Sequence, residues 1–397
     1  MDLLSWTDII IQIFLRLSPV WVSLIILFFV SFSFKRSLGL YGKLFDSTIG
    51  MIGFAIVMFW VFAGFFAGAM DWIITHDPLA QFSGMKNKVP GTPLRGAEDG
   101  DFSHFLFGGD HLARDVFSRM IAGSTIVIII APMATLFAFM VGITLGVPAG
   151  YYGGRLDTTI SFIANLILAF PVILLFYLLV TPEIRLTGLP QYMAVVLFLF
   201  PLIFYTVLVN SRFHIFPTKR NVLLGSGIAV LGILYISLIN EADSKISFLS
   251  SIDLFDVDAG LLTVFVSVVF VNAPTVFRIV RGLTMDIKTR EYVAAAQTRG
   301  EGAWYIMLWE ILPNARGPLI VDFCLRIGYT TILLGTLGFF GLGLAPEDPN
   351  WGATINDGRK LLSIYPHPAL VPSIALLSLV LGLNLLADGL REESLKD

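Results

Sequence analysis

The side chains that usually carry out chemistry form no catalytic pattern in this sequence. The five histidines are scattered, without the spacing of a helical zinc site, and no Gly-x-Ser-x-Gly turn presents a nucleophile. The only Gly-Lys step, Gly42-Lys43, continues into Leu44 instead of the Ser or Thr of a phosphate-binding loop. The single cysteine, Cys324, cannot form an intrachain disulfide. We therefore expect neither catalytic nor metal-binding residues, and an energy source outside this chain.

Two opposite charges lie inside an otherwise apolar segment, Gly317 to Phe340. Asp322 and Arg326 are four residues apart, which places them on one face of a helix where they can pair. Charges inside an apolar segment are costly unless they are paired or face a cavity. Two interpretations stay open: an ion pair that tunes helix packing, or residues that line a pathway.

The most informative polar stretch runs from Arg278 to Arg316. Glu291 opens a run rich in alanine, Gly300 permits a turn, and Pro313 ends or kinks the second run. This pattern predicts a short helix, a break and a second short helix. Small alanines on an exposed helix would let a partner protein approach closely. The alternative interpretation is a helical loop that contacts only solvent.

The elements that hold these residues must lie in a membrane. The chain has 397 residues, 56% of them hydrophobic, a mean hydropathy of +0.81 and only 14% charged residues, against about 25% in soluble proteins. A net charge of −3 argues against a nucleic-acid-binding protein. Strand alternation is absent, so we predict an all-α polytopic integral membrane protein.

Nine segments are long enough to cross a bilayer core about 30 Å thick. Eight contain no charged residue, and the ninth contains the Asp322 and Arg326 pair. The predicted spans are Leu17–Phe34, Ser47–Met70, Met120–Gly154, Thr158–Pro182, Leu186–Ser211, Asn221–Asn240, Ala259–Phe277, Gly317–Phe340 and Leu361–Ala387.

The distribution of lysine and arginine predicts the orientation of the spans. If the N-terminus is outside, 15 of the 26 basic residues fall in cytoplasmic segments, and the acidic loop from Glu241 to Asp258 lies outside. We therefore predict an outside N-terminus, an uncleaved N-terminal anchor and a cytoplasmic C-terminus. Arg16 and the amphipathic pattern from Ile9 to Leu17 leave the alternative that this first segment lies in the membrane interface.

The stretch after Glu291 resembles the EAA loop of the permeases of ABC importers. That consensus is Glu-Ala-Ala, three residues, Gly, nine residues, Ile, one residue and Leu-Pro. Its matches here are Ala295, Ala296, Gly300, Leu312 and Pro313, whereas Ala294 replaces the Glu and Glu310 the Ile. We call residues 278–316 the coupling loop, since the resemblance implies that they contact an ATPase.

Other blocks are similar to the dipeptide and oligopeptide branch, whose relatives also carry nickel. Gly108 to Arg119 resembles its Gly-Thr-Asp-x-x-Gly-Arg-Asp-x-x-Ser-Arg signature, with Gly109 for Thr and Ala113 for Gly. The remaining similar blocks are Glu291-Tyr292, Ala149–Gly154 with Asp157, Phe340–Leu344, Trp351-Gly352, Gly358-Arg359 and Asn384–Arg391.

The resemblance also divides the chain. We predict an extra N-terminal anchor helix and cytoplasmic loop (1–46), a first core span with a long outer loop (47–119), a permease domain (120–388) and a cytoplasmic tail (389–397). The family has a short connection where this chain has residues 183–258, which carry two predicted spans. We call residues 183–258 the inserted hairpin; its role is open between lipid packing and an accessory contact.

The resemblance implies one of the two permease subunits of a bacterial inner-membrane importer, with di- or oligopeptides as the expected substrates. Its expected partners are a second permease subunit, two cytoplasmic ATPase subunits that hold ATP and Mg, and an extracytoplasmic substrate-binding protein. Coupling is expected at Glu291, Ala295, Ala296, Gly300, Leu312 and Pro313. Asp348, Asn350 and Trp351 are candidates for an outer gate or a contact with the binding protein, or else ordinary loop residues. An ion-driven transporter and a non-transporting scaffold remain alternatives.

Overall fold

The computed structural model describes residues 2–94, 102–239, 259–342 and 348–394. The predicted acidic loop Glu241–Asp258, Glu347 and the last three residues of the predicted tail lie outside these ranges. The helices are α1 (Trp6–Arg16), α2 (Ser18–Ser33), α3 (Gly39–Lys43), α4 (Thr48–Gly68), α5 (Val116–Tyr152), α6 (Gly154–Ala169), α7 (Val172–Val180), α8 (Pro182–Leu186), α9 (Leu189–Leu197), α10 (Leu199–Arg212), α11 (Pro217–Ile239), α12 (Ala259–Ile287), α13 (Glu291–Thr298), α14 (Ala303–Tyr305), α15 (Leu312–Asn314), α16 (Arg316–Phe339), α17 (Trp351–Arg359) and α18 (His367–Ser394). Short 3₁₀ helices cover Lys35–Ser37 and Leu44–Asp46, a π-helical segment covers Ile306–Ile311, and two short strands are β1 (Thr92–Pro93) and β2 (His104–Phe105).

The helices confirm the predicted all-α polytopic class. Within the described ranges, seven continuous helical segments are long and apolar enough to cross a membrane, with α9 and α10 counted as one. Two further pairs, α1 with α2 and α6 with α7, qualify if each bent pair is one span. Each of the nine predicted spans has its counterpart among these segments and pairs.

The predicted span Thr158–Pro182 is broken in the structure. α6 and α7 meet at an angle of 85°. Pro171 has no N–H to donate, and Phe170 before it adopts an extended conformation with φ −77° and ψ 138°, so α6 cannot continue. The sequence prediction marked the span but not the break within it, because a charge-free window does not register a backbone break.

The N-terminal segment is also bent, by 57° between α1 and α2. α1 lies against the loop between α4 and α5: Leu4 N donates to the Gly91 carbonyl at 3.0 Å, and the Arg16 guanidinium donates to the Ile74 carbonyl. The 16 residues of α2 measure about 24 Å along the axis. The amphipathic residues Ile9 to Leu17 therefore lie in a separate helix from most of the predicted span.

The chain forms two compact units, each of which we describe by itself. The first comprises Met1–Pro132 and Cys324–Asp397. Here α4 packs closely on α18 because glycines face each other: a Cβ on Gly50 would lie 3.2 Å from Gly389 Cα. Trp60 on α4 donates from Nε1 to Ser378 Oγ on α18 at 2.9 Å.

The loop between α4 and α5 belongs to this first unit and is folded. β1 pairs with β2 in antiparallel register, with Thr92 opposite Phe105. The buried ring of His76 bridges the Asp115 carboxylate, 3.0 Å from Nδ1, and the Phe102 carbonyl, 2.7 Å from Nε2. This histidine therefore holds the loop together.

The second unit, Met133–Phe323, is built around α12. α12 packs against α6, α7 and α9. It extends ten residues beyond the predicted end at Phe277, so Arg278 to Ile287 continue the helix instead of opening the coupling loop. The predicted segment ended at Phe277 because the next residue is charged. A charged side chain does not end a helix, since the backbone hydrogen bonds of the helix can continue past it.

Candidate coupling site

Beyond the end of α12, the coupling loop forms α13 and turns sharply at Gly300. Gly300 N donates to the Gln297 carbonyl at 3.0 Å and Glu301 N to the Ala296 carbonyl at 3.2 Å, the two bonds of a Schellman cap. Gly300 has φ +81°, which costs a residue with a Cβ more than it costs glycine. The predicted break between two short helices is therefore present, and Gly300 makes it.

The second arm of the loop consists of α14, the π-helical segment and α15. Pro313 cannot donate to the Trp309 carbonyl, and the irregular helical hydrogen bonding ends just before it. Glu310, which departs from the family consensus, accepts from Arg299 Nη2 at 2.8 Å. Glu310, where the family has Ile, therefore links the second arm of the loop to Arg299 at the end of α13.

The predicted coupling residues divide between the surface and the interior. Glu291, Ala295 and Gly300 are exposed, whereas Ala296 has no exposed surface. Ala296 turns inward because it lies three residues after the buried Val293, on the same face of α13. Of the two alanines predicted to contact a partner, Ala295 alone is exposed, and its contact with an ATPase stays a prediction.

The two residues expected to fix the loop at the membrane end lie in α15. Leu312 is half-buried and Pro313 is exposed. Neighbouring Ile311 is fully buried, as are Ile306 and Met307 in the π-helical segment. The second arm is thus attached to the unit by the π-helical segment more than by the predicted Leu-Pro pair.

A lysine ties the start of the coupling loop to the end of α5. Lys288 Nζ donates to the carbonyls of Gly150 at 2.8 Å and Tyr151 at 3.3 Å. These carbonyls belong to the last turn of α5, where carbonyl groups have no N–H donor within the helix and carry partial negative charge. The ammonium group therefore caps α5 while it holds the chain just before α13.

A second link is an ion pair that joins α12 to α6. The Arg281 guanidinium on α12 donates to both carboxylate oxygens of Asp157 on α6, with Nη2 2.6 Å from Oδ2. Nearer the surface, a hydrogen bond with the Asp286 carboxylate raises the pKa of Arg290 above its ordinary value. The Arg281 pair is the more shielded of the two, so it is the stronger tether.

Glycines let α5 and α12 approach almost backbone to backbone. A Cβ on Gly142 would lie 2.7 Å from Val276 Cβ, and one on Gly150 would lie 2.8 Å from Thr284 Cβ. Gly146, midway between them, meets the Phe277 carbonyl and Val280 at 3.0 Å. The four-residue spacing places all three glycines on one face of α5, as in other close helix pairs in membranes.

The predicted pair Asp322 and Arg326 lies on α16. Arg326 is buried and Asp322 is half-buried. Both side chains lie four residues apart along one helix, as the sequence predicts, and the choice between a packing role and a lining role stays open.

Asn350 and Trp351 serve the interior of the first unit. Trp351 is 1% exposed, donates from Nε1 to the Met120 carbonyl at 2.7 Å and packs edge-on against Trp60. Asn350 Oδ1 accepts from Gly352 N at 2.8 Å and caps α17. Both side chains are buried in this structure, and the outer gate and the binding-protein contact stay predictions for these residues.

The motif Gly108–Arg119 surrounds these residues with buried charge. Arg114 Nε lies 2.7 Å from Asp110 Oδ2, and Arg119 donates to the carbonyls of Pro78 and Asp348. Asp348, the third of these candidate residues, therefore contacts the motif through its carbonyl. Ala113, the residue in place of the family glycine, has φ +65°.

Sequence reasoning missed three contributors to the site. Lys288 appeared only as one of the basic residues of the loop, and nothing marked its bond to Gly150. The Gly142, Gly146 and Gly150 spacing was visible as Gly-x₃-Gly-x₃-Gly and could have been found. Trp309 gave no signal, because its partners lie about a hundred residues away in the sequence.

Comparison with known proteins gives a consistent picture. Residues 221–392 match the family described as the binding-protein-dependent transport system inner membrane component. The chain is 30% identical to the glutathione transport system permease protein GsiD of Pectobacterium atrosepticum over 294 residues, 74% of this chain and 73% of that protein. It is 26% identical over 346 residues to the dipeptide transport system permease protein DppC of Alkalihalophilus pseudofirmus (87% and 85% covered), and 27% identical over 288 residues to that of Haemophilus influenzae (72% of each).

Proposed function

Because this chain belongs to the family of binding-protein-dependent transport system inner membrane components, it is a permease subunit, and we propose that its cargo is a di- or oligopeptide. The similar proteins named for glutathione and dipeptide transport support this choice. The bent pairs and the close α5–α12 packing suit a protein that moves between a few discrete arrangements, as alternating access requires.

The observation that carries the proposed mechanism is the attachment of the coupling loop to α5 and α12. A partner that displaced α13 would pull on Lys288, which holds the end of α5, and on α12, which continues almost to the loop. At Gly142, Gly146 and Gly150 the side chains of α12 contact the α5 backbone directly, so little side-chain flexing can absorb a movement of one helix relative to the other. Motion at the loop would therefore reach two membrane helices together.

The binding-protein-dependent family implies work with an ATPase and a substrate-binding protein. In our proposal one second permease completes the pathway, and two cytoplasmic ATPase subunits bind ATP and Mg and carry out hydrolysis. The binding protein delivers peptide on the outer face, which in our topology is the side of the N-terminus. The C-terminus and the coupling loop are cytoplasmic.

Uptake into proteoliposomes tests this function. The chain is reconstituted with its second permease, ATPase pair and binding protein, with ATP and Mg on the ATPase side and a labelled dipeptide or tripeptide on the other. We expect uptake that needs ATP and the binding protein and is unaffected by ionophores. Uptake driven by an ion gradient without ATP would instead identify a secondary transporter, and the absence of uptake under both conditions would favour a scaffold.

A further inference from the structure

Two contacts of the described part of the inserted hairpin, residues 183–239, lie on either end of α10, and the first is aromatic. Phe198, between α9 and α10, packs edge-on against Phe137 of α5 at 5.1 Å between ring centroids. It also lies 5.7 Å from Phe265 of α12. The hairpin is therefore fixed at this end to α12, which leads into the coupling loop, and to α5, which Lys288 contacts.

The second attachment point is the coupling loop itself. Trp309, in the π-helical segment, donates from Nε1 to Ser211 Oγ at 3.1 Å. The guanidinium carbon of Arg212 lies 4.7 Å from the centroid of the Trp309 ring, over its face. A buried hydroxyl and a cation thus hold one indole from two directions.

Apolar side chains of α10 and of the loop also face each other across a small crevice. A small apolar crevice is lined by Phe204 and Val207 of α10 and by Trp304 and Leu308 of the loop. α10 is 14 residues long, about 21 Å from its Phe198 end to its Arg212 end. A single helix therefore connects the ring contacts of Phe198 with the contacts that Ser211 and Arg212 make to Trp309.

We propose that the inserted hairpin is a brace that positions the coupling loop, with Trp309, Ser211 and Arg212 as its positioning residues. This inference rests on the proposed coupling function. The π-helical segment lies just before Pro313, where the helix is least regular, so a side chain held there fixes the second arm of the loop. A brace of this kind transmits displacement of the loop to α5 and α12, and without it part of that displacement is lost as local deformation.

The test compares transport with hydrolysis in the complete reconstituted transporter. The variants are Arg212→Gln, which removes the cation, and Trp309→Leu, which removes the indole. Lys219→Gln is the matched control, because it removes a cation 4.9 Å from the Phe213 ring within the hairpin and leaves the loop contact intact. We expect the ATP consumed per peptide imported to rise roughly fivefold in both test variants, with the ATPase still bound, and not in the control.

Two further readouts decide the outcome. The double variant should be no worse than Trp309→Leu alone, since both act on one contact, and additive effects would contradict the brace. Hydrogen exchange of residues 303–314 in the reconstituted permease alone should rise in the test variants only. The proposal would be overturned if hydrogen exchange in the test variants did not rise. It would also be overturned if exchange rose while the ATP consumed per peptide stayed unchanged. Since exchange needs no ATPase, failure of the unaltered transporter to import peptide would refute the proposed function separately.

Discussion

The ammonium group of Lys288 donates a hydrogen bond to the carbonyl of Gly150, 2.8 Å away, at the C-terminal end of α5. Gly150 is also the glycine at which α5 and α12 pack closely, through Thr284. One short stretch of α5 thus receives both a charged cap and a backbone-level contact from the chain leading into the coupling loop.

Lys288→Gln should weaken this cap. The half-buried ammonium group makes a charge-assisted bond, so we expect a loss of about 1 kcal/mol of stability and a clear drop in peptide uptake. Thermal unfolding of the purified permease and uptake in proteoliposomes measure the two effects. Arg290→Gln is the control, because its solvent-exposed pair with Asp286 should contribute little to stability. Equal effects of the two variants would show that the cap is unimportant.

Ala295→Glu and Ala296→Glu should fail in different ways. Ala295 is exposed, so its variant should fold normally yet bind the ATPase at least about tenfold more weakly, a loss above ~1.4 kcal/mol. Ala296 is fully buried, so its variant should not accumulate as folded protein. Size-exclusion profiles and co-purification of the ATPase separate the outcomes. Full ATPase binding by the Ala295 variant would remove this residue from the proposed contact.

Gly146→Val should push α5 and α12 apart. Its Cβ would lie 3.0 Å from the Phe277 carbonyl, and we expect a destabilisation of about 1–3 kcal/mol from overpacking. Gly225→Val on α11 adds the same side chain where no atom lies within 4 Å of the new Cβ, and it controls for helix propensity. The thermal midpoint should fall in the first variant and change little in the second. The reverse order would contradict the packing described here.

Ala113→Val should destabilise the loop between α4 and α5. Ala113 has φ +65°, a region that costs an L-residue roughly 1–2 kcal/mol and a β-branched residue more. Ala113→Gly restores the family residue and should be tolerated or slightly stabilising. The yield of folded protein and its thermal midpoint measure both changes. A valine variant as stable as the parent would indicate that the local backbone changes conformation freely.

The sequence predicts the helices well because apolar length is a local property. It also predicts the turn at Gly300, since a glycine between two helical runs has few other uses. It does not say which side of α13 faces inward, so Ala295 and Ala296 were treated alike. Trp351 looked like a surface residue beside acidic neighbours, whereas its burial depends on Trp60 and Met120, hundreds of residues away.

The break at Pro171 shows the opposite case, in which a local signal was present but was not used. The apolar window continues through it, and only the missing proline N–H and the extended Phe170 end α6. The contact of Trp309 with Ser211 and Arg212 had no local signal of any kind. Long-range pairings of this sort need a structure, or many related sequences, to be found.

The glycines of α5 also restrict the kind of movement that α5 and α12 can make. The α12 side chains that contact these glycines are also spaced four residues apart. They are Val276, Val280 and Thr284, which pack against Gly142, Gly146 and Gly150 respectively. If α12 slid along α5, it would have to move by one four-residue repeat, about 6 Å, before its side chains again lay against glycines. A smaller shift would press the methyl groups of α12 against the backbone of α5. The two helices can therefore rotate and tilt together, but they cannot slide past each other in small steps.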